Sequence, residues 1–128
     1  MLRGMALVAA LTIGFSGNAA AASVEKSLAK LPPEIRAQQA CGLHAMREMR
    51  KQPSLKRADR VQPSSAKPAV LQGAKLVAKG GAVRAAGRWY AVDFSCDMTP
   101  DLLKATTFTY VLGKEIPESD WERLGLWR

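Results

Sequence analysis

The apolar positions of the chain follow three rhythms. Residues 5–15 are an apolar run broken only by Thr12 and Gly14. Residues 33–51 repeat at helical intervals: Ile35, Gly42, Met46 and Met49 fall on one face, with Cys41 and Ala45 beside it. Beyond residue 70 the period drops to two. It is clearest at 88–96, where Tyr90, Val92, Phe94 and Cys96 alternate with Trp89, Ala91, Asp93 and Ser95.

These rhythms predict a helix followed by strands. Pro33 suits a first helical turn, where its missing N–H would be unpaired anyway. Glu34 near the start and Arg47, Arg50 and Lys51 near the end match the helix dipole, and Pro53 stops the helix. Residues 23–31 are expected to be a loose helical turn or a mobile segment. Residues 52–68, basic and rich in Pro and Ser, are expected to be a loop lying over the sheet. Strands are expected at 70–79, 82–86, 88–96 and 104–112, with turns at Gly80-Gly81, Gly87 and Thr99-Pro100-Asp101, and with Gly113 ending the last. In the tail, Pro117 opens a short helix and Gly125 closes it, so that Trp121 and Leu124, joined by Trp127, pack back on the sheet. The expected fold is α+β: an N-terminal helix packed on a three- to four-stranded antiparallel meander, with a short C-terminal helix and one disulfide.

The start of the chain changes the compartment. Arg3, the apolar run and Ala20-Ala21-Ala22 form the three parts of a secretory signal peptide over residues 1–22, with cleavage expected before Ser23. An 11-residue run spans about 16 Å as a helix, roughly half the hydrocarbon thickness, too short for an anchor. The mature chain, residues 23–128, is then one small domain, 32–128, preceded by the segment 23–31. In an oxidising compartment two cysteines of a small domain pair, so Cys41 and Cys96 are expected to be bonded. Closing a loop of that length is worth about 4 kcal/mol on the chain-entropy account.

Charge is distributed unevenly. The whole chain carries +8. Residues 23–88 hold 14 basic and 4 acidic residues, whereas residues 89–128 hold 4 basic and 7 acidic. The densest stretch includes Arg47, Arg50, Lys51, Lys56, Arg57, Arg60 and Lys67, diluted by Glu48 and Asp59. It is the leading site for a polyanion: an acidic envelope polymer, an anionic lipid surface or an acidic protein. Nucleic acid is the poorer partner, because export removes it from reach and no aromatic interleaves the basic run.

A set of short motifs runs through the chain in order: Cys41, Leu43, Ala45 and Met46 on the helix, then Ala58-Asp59-Arg60-Val61, Gly87-Arg88-Trp89-Tyr90, Cys96, Thr99-Pro100-Asp101, Glu115-Ile116-Pro117, Trp121 and Leu126-Trp127. In these residues, over about 32–127, the chain resembles domain of unknown function 930, a family of exported bacterial proteins. The resemblance implies a periplasmic or secreted setting and no particular activity.

Other chemistry finds little support. His44, Met46 and Met49 are soft ligands suited to Cu(I), but on a helix His44 and Met46 point about 200° apart. One histidine rules out a multi-His zinc site, and bonded cysteines are not ligands. No nucleophile elbow, phosphate loop or dinucleotide fingerprint is present. Asp93, Asp97 and Asp101 could form an acid pair, though alternation turns Asp93 to solvent and the other two suit turns. Trp89 is expected to face outward, covered by the 52–68 loop. No metal or cofactor is expected. The leading expectation is a non-enzymatic envelope binding or accessory module with a basic face. The alternative is a small periplasmic enzyme or enzyme inhibitor with a shallow site between the sheet and the basic loop.

Overall fold

The computed structural model describes residues 18–128, so most of the expected leader, residues 1–17, lies outside the described residues. Two helices, α1 (Asn18–Ala29) and α2 (Pro33–Met49), precede five strands, β1 (Ala58–Gln62), β2 (Val70–Gln72), β3 (Lys75–Ala85), β4 (Arg88–Met98) and β5 (Ala105–Glu115). The fold is α+β. All five strands join one antiparallel sheet in the order β1-β3-β4-β5, and β2 pairs with the start of β3 on the same side as β1. None of the described helices is long and apolar enough to cross a membrane.

The 23–31 segment, expected as a loose helical turn or a mobile stretch, is helical as far as Ala29 in α1. Leu28 is buried against the core. Arg36 of α2 donates to the carbonyls of Leu28, Ala29 and Leu31 (3.2, 3.1 and 2.9 Å), closing the end of α1. It also reaches the Asp101 carbonyl at 3.0 Å, tying both helices to the β4–β5 connection. The expected cleavage position falls inside α1 and leaves Leu28 and these contacts downstream.

The face that α2 lays on the sheet is narrow in side-chain size. Ala37, Ala40, Cys41, Ala45 and Met49 are buried. Ile35 departs from the expected stripe: it is 46 % exposed, on the helix flank that looks along β1. Across the interface, Cys41 is bonded to Cys96 of β4, with their Cα atoms 5.9 Å apart. Small side chains bring the helix close enough for this bond, and the bond holds a helix whose alanines bury little area.

The sheet departs from the expected meander at Gly80-Gly81, and the reason is a change of face. Leu76 and Ala78 face α2 on even positions, whereas Val83 and Ala85 face it on odd ones. A regular strand would turn one pair to the wrong side. The expected turn is instead a bulge inside a continuous β3, between Ala78 and Gly81. Glycine is required there by crowding. A Cβ on Gly80 would meet the Lys67 backbone nitrogen at 2.4 Å, and one on Gly81 would meet Phe94 and the Val92 carbonyl at 2.9 Å. The true turn lies at Gly73, whose φ is +61°, between β2 and β3.

The 52–68 segment is also more ordered than a loop. It contains a 3-10 turn, Pro53–Leu55, with Leu55 fully buried, and then β1 at the sheet edge. Ser65 and Ala66 donate their N–H groups to the Gly80 carbonyl (3.0 and 2.8 Å), clamping the segment across the bulge. β4 and β5 outrun their expected ends, and Gly113 lies within β5.

The other face carries a second apolar cluster. Trp89 is fully buried there with Ala82 and Leu126, and Ile116, Trp121 and Leu124 pack around them. Trp89 is therefore covered by the C-terminal tail and not by the 52–68 segment, whose Ser65 Oγ instead donates to the Leu124 carbonyl of that tail (2.8 Å). The tail is a 3-10 turn, Glu118–Asp120, followed by further turns, rather than a regular helix. Trp89 Nε1 donates to the Trp127 carbonyl at 2.7 Å, and the two rings meet edge-on at 5.4 Å. Arg84 lies over both rings at 5.7 and 5.9 Å and grips Asp59 of β1 with two hydrogen bonds (2.9 and 2.8 Å).

Three outcomes follow. Replacing Cys96 with Ser should destabilise the protein by about 4 kcal/mol, and the Cys41→Ser, Cys96→Ser double variant should be no worse than either single one. Chemical denaturation checks this, together with mass spectrometry that finds both thiols blocked before reduction. Gly80→Ala should cost about 1–3 kcal/mol by pushing the 63–69 segment off the sheet, measured by thermal melting. Asp59 is held below the ordinary carboxylate range, chiefly by its hydrogen bonds from Arg84. Its contribution is therefore present above the unfolded-state value and is lost as pH falls through the lower folded value. Since Asp59 is half exposed, Asp59→Asn should remove no more than about 1 kcal/mol at pH 7, and less in acid, flattening the acid limb of the stability curve.

Candidate binding surfaces

The fold splits the basic run. Four of its residues gather where α2 ends. Arg50 Nε donates to the Ala58 carbonyl at 2.6 Å, closing the 50–58 segment into a compact end that presents Arg50, Lys51, Lys56 and Arg57 together. Lys51 holds both oxygens of Glu48 at 3.0 Å, and this hydrogen bond is the main cause of the lowered Glu48 pKa. Lys56 and Arg57 are exposed and form no ion pair among the described residues. Arg50 and Lys51 also sit at the negative end of the α2 dipole.

The other two expected site residues are placed elsewhere. Arg47 faces the groove between α1 and α2, a cavity of about 510 Å³ shared with Glu25, His44 and Lys104. Glu25 and Lys104 are paired there at 3.0 Å. Arg60 donates to the Asp59 carbonyl at 2.9 Å and lines a shallow groove of about 330 Å³ between α2 and β1, with Ile35, Leu43 and Met46.

Lys67, the last basic residue of the run, lies in a fourth place. With Lys75 and Lys79 of β3 it rims an open depression of about 550 Å³ over Val70 and Val77, where Ser95 forms part of the wall. The sequence offered a signal for this grouping only in Lys75 and Lys79, which share a strand face at i and i+4. Here is the shallow site between sheet and basic segment that an enzyme would need. Its hydroxyl, Ser95 Oγ, is hydrogen-bonded to Thr109 Oγ1 at 3.0 Å, and its lining contains no carboxylate and no histidine.

The remaining chemistry-bearing residues are kept apart. His44 packs edge-on against Phe108 with ring centres 5.8 Å apart. Met46 borders the β1 groove, and Met49 is fully buried in the core. Among the described residues no three His, Cys, Asp or Glu side chains converge as metal ligands would. Asp101 accepts from the Thr99 hydroxyl at 2.6 Å and the Leu103 N–H at 3.1 Å, which lowers its pKa and makes it a turn former. Asp97 is taken by the Thr107 hydroxyl at 2.5 Å, and Asp93 stands exposed opposite Val111.

No curated protein and no solved structure matches the chain. One family model does match, over residues 28–126. The ends of that match coincide with the fold: Leu28 is the buried residue of α1, and Leu126 is the buried residue of the tail beside Trp89. The matched region thus takes in both apolar clusters and the disulfide within the first, and the chain belongs to the family described as Domain of Unknown Function (DUF930).

Proposed function

We propose that this chain is an exported, non-enzymatic binding module of the bacterial envelope that takes an acidic polymer on the basic end of α2. The observation that carries this reading is the gathering of Arg50, Lys51, Lys56 and Arg57 at one end of the molecule, with Glu48 as the acidic side chain paired within it. The three-part N-terminus and the cysteine pair support a periplasmic or secreted setting, where acidic polysaccharide and anionic headgroups are the abundant polyanions. Arg60 and Arg47 flank the basic end rather than complete it, since they open onto different grooves.

The test uses immobilised heparin as the polyanion. The exported protein should bind at low ionic strength and elute as salt screens the contact. The triple variant Lys51→Glu, Lys56→Glu, Arg57→Glu leaves the Arg50 hydrogen bond to Ala58 in place and should stay folded, with a melting temperature lowered by a few degrees through loss of the Lys51–Glu48 pair. It should bind about a hundredfold more weakly. Retention equal to the parent, or a parent that fails to bind at low salt, would overturn the proposal. The triple variant Lys67→Gln, Lys75→Gln, Lys79→Gln is the control for the sheet depression and should elute near the parent.

A further inference from the structure

The two edges of the sheet are built differently. At one edge, β1 is five residues long, carries Asp59 and Arg60, and runs into Pro63. The Ala58 and Asp59 carbonyls are taken by Arg50 and Arg60, and α2 lies alongside. Charges, proline and cover are the ordinary means of closing an edge to other chains. At the other edge, β5 is 11 residues long. From residue 105 to 113 it contains neither a charge nor a proline, and its outer side has no strand partner among the described residues. Val111, on this strand, is 72 % exposed.

We infer that two copies of this chain pair through β5, joining their sheets edge to edge about a two-fold axis. An open strand edge demands another extended backbone, and the pattern of β5 says which one. A two-fold axis perpendicular to the sheet keeps both α2 helices on one side, so opposed residues must share a face. Centring the axis on Tyr110 is the register that pairs all eleven residues. It sets Phe108 against Leu112, Thr109 against Val111, Thr107 against Gly113, Thr106 against Lys114 and Ala105 against Glu115. No charge then faces another charge. Centring one residue earlier would oppose Lys104 to Lys114 twice, a destabilising arrangement.

The irregularities of β5 agree with the same centre. The strand holds one extra residue between Ala105 and Thr107, opposite Met98 and Asp97, and another between Leu112 and Glu115, opposite Val92 and Tyr90. Each bulge switches the face on which the following residues point, so Ala105, Phe108, Tyr110, Leu112 and Glu115 all share the helix side. Pairing about Tyr110 lays one bulged end against the other, and every opposed pair stays on a common face. The interface borders the basic end of α2, through the bond from Tyr110 to Gln52, but uses none of its cations, so this inference does not rest on the polyanion reading.

The test is sedimentation of the exported protein over a concentration series. Salt of about 0.3 M screens the basic ends, which Gln52 holds near Tyr110 by a hydrogen bond of 2.6 Å. The parent should reach twice the monomer mass. Thr109→Lys with Val111→Lys sets two lysines opposite two lysines across the axis and should raise the dissociation constant at least tenfold. Thr109→Glu with Val111→Lys places opposite charges in the same positions and should hold the dimer as well as the parent does. Both side chains are exposed, and both variants lose the Thr109 hydrogen bond to Ser95 equally, so the two should melt alike and slightly below the parent. A parent that stays monomeric up to about 1 mM, or two variants that weaken association equally, would overturn the inference.

Discussion

The bond between Cys41 and Cys96 is the constraint on which the two-layer arrangement depends. A helix ordinarily holds to a sheet by burying large apolar side chains, each worth about 1.5–3 kcal/mol. The buried face of α2 offers mainly Ala37, Ala40 and Ala45, with Met49 as its one large fully buried side chain. Alanines permit close approach but remove little surface from water. The disulfide, placed in the middle of that face and bonded to the central strand β4, supplies what the alanines do not. Arg36 and Tyr110 fasten the two ends of the helix by other means. Arg36 spans α1 and the β4–β5 connection, and Tyr110 on β5 reaches Gln52 just beyond the last turn.

A sheet that buries both faces needs a device to keep each side chain on its own side, and here the device is the pair Gly80-Gly81. The bulge shifts β3 by one residue. Leu76 and Ala78 on one side of it and Val83 and Ala85 on the other all meet α2. The same shift turns Ala82 and Arg84 to the far face, where Trp89 and the tail are. Arg84 then joins three parts distant in sequence: Asp59 at the sheet edge, Trp89 in the sheet and Trp127 at the end of the chain. The second cluster is thus tied by both burial and charge, although its members are few.

The helix, the strand at residues 88–96, the disulfide and the α+β class were legible in the sequence because each rests on a local period or on the cysteine count. What escaped notice was non-local. β1 holds one strongly apolar residue, Val61, and owes its strand conformation to pairing with β3. Gly80-Gly81 has the composition of a turn, and only the crossing of the 63–69 segment shows that its lack of side chains serves close approach. Trp89 was assigned to the correct face but to the wrong cover, since alternation says which way a residue points and not what meets it there. The basic run was legible as charge, whereas its division among four surfaces follows from the direction in which Arg47 leaves α2 and from the path of residues 50–67 around the sheet. Lys75 and Lys79 escaped for the same reason: they become a group only when Lys67 is brought across β3.

That path separates two properties that composition alone merges. A chain of net charge +8 suggests a molecule that repels its own copies and attracts anions everywhere. The fold instead concentrates free cations at the end of α2 and keeps the middle of β5 uncharged. The acidic residues of the C-terminal third contribute to this partition. Glu115 at the end of β5 stands within 3.7 Å of Arg88, and Glu118 is paired with Arg128, so neutralisation occurs at the strand's end and around the tail and not along the middle of β5. A surface arranged in this way can hold an anion at one end and still leave a backbone edge free for pairing, because the interaction between exposed charges falls off over about 10 Å at ordinary ionic strength. The small core limits how many faces a domain of this size can hide, and in this chain the faces left open differ in chemistry: cations at the end of α2, lysines over valine beside β2, and an unpaired strand at β5.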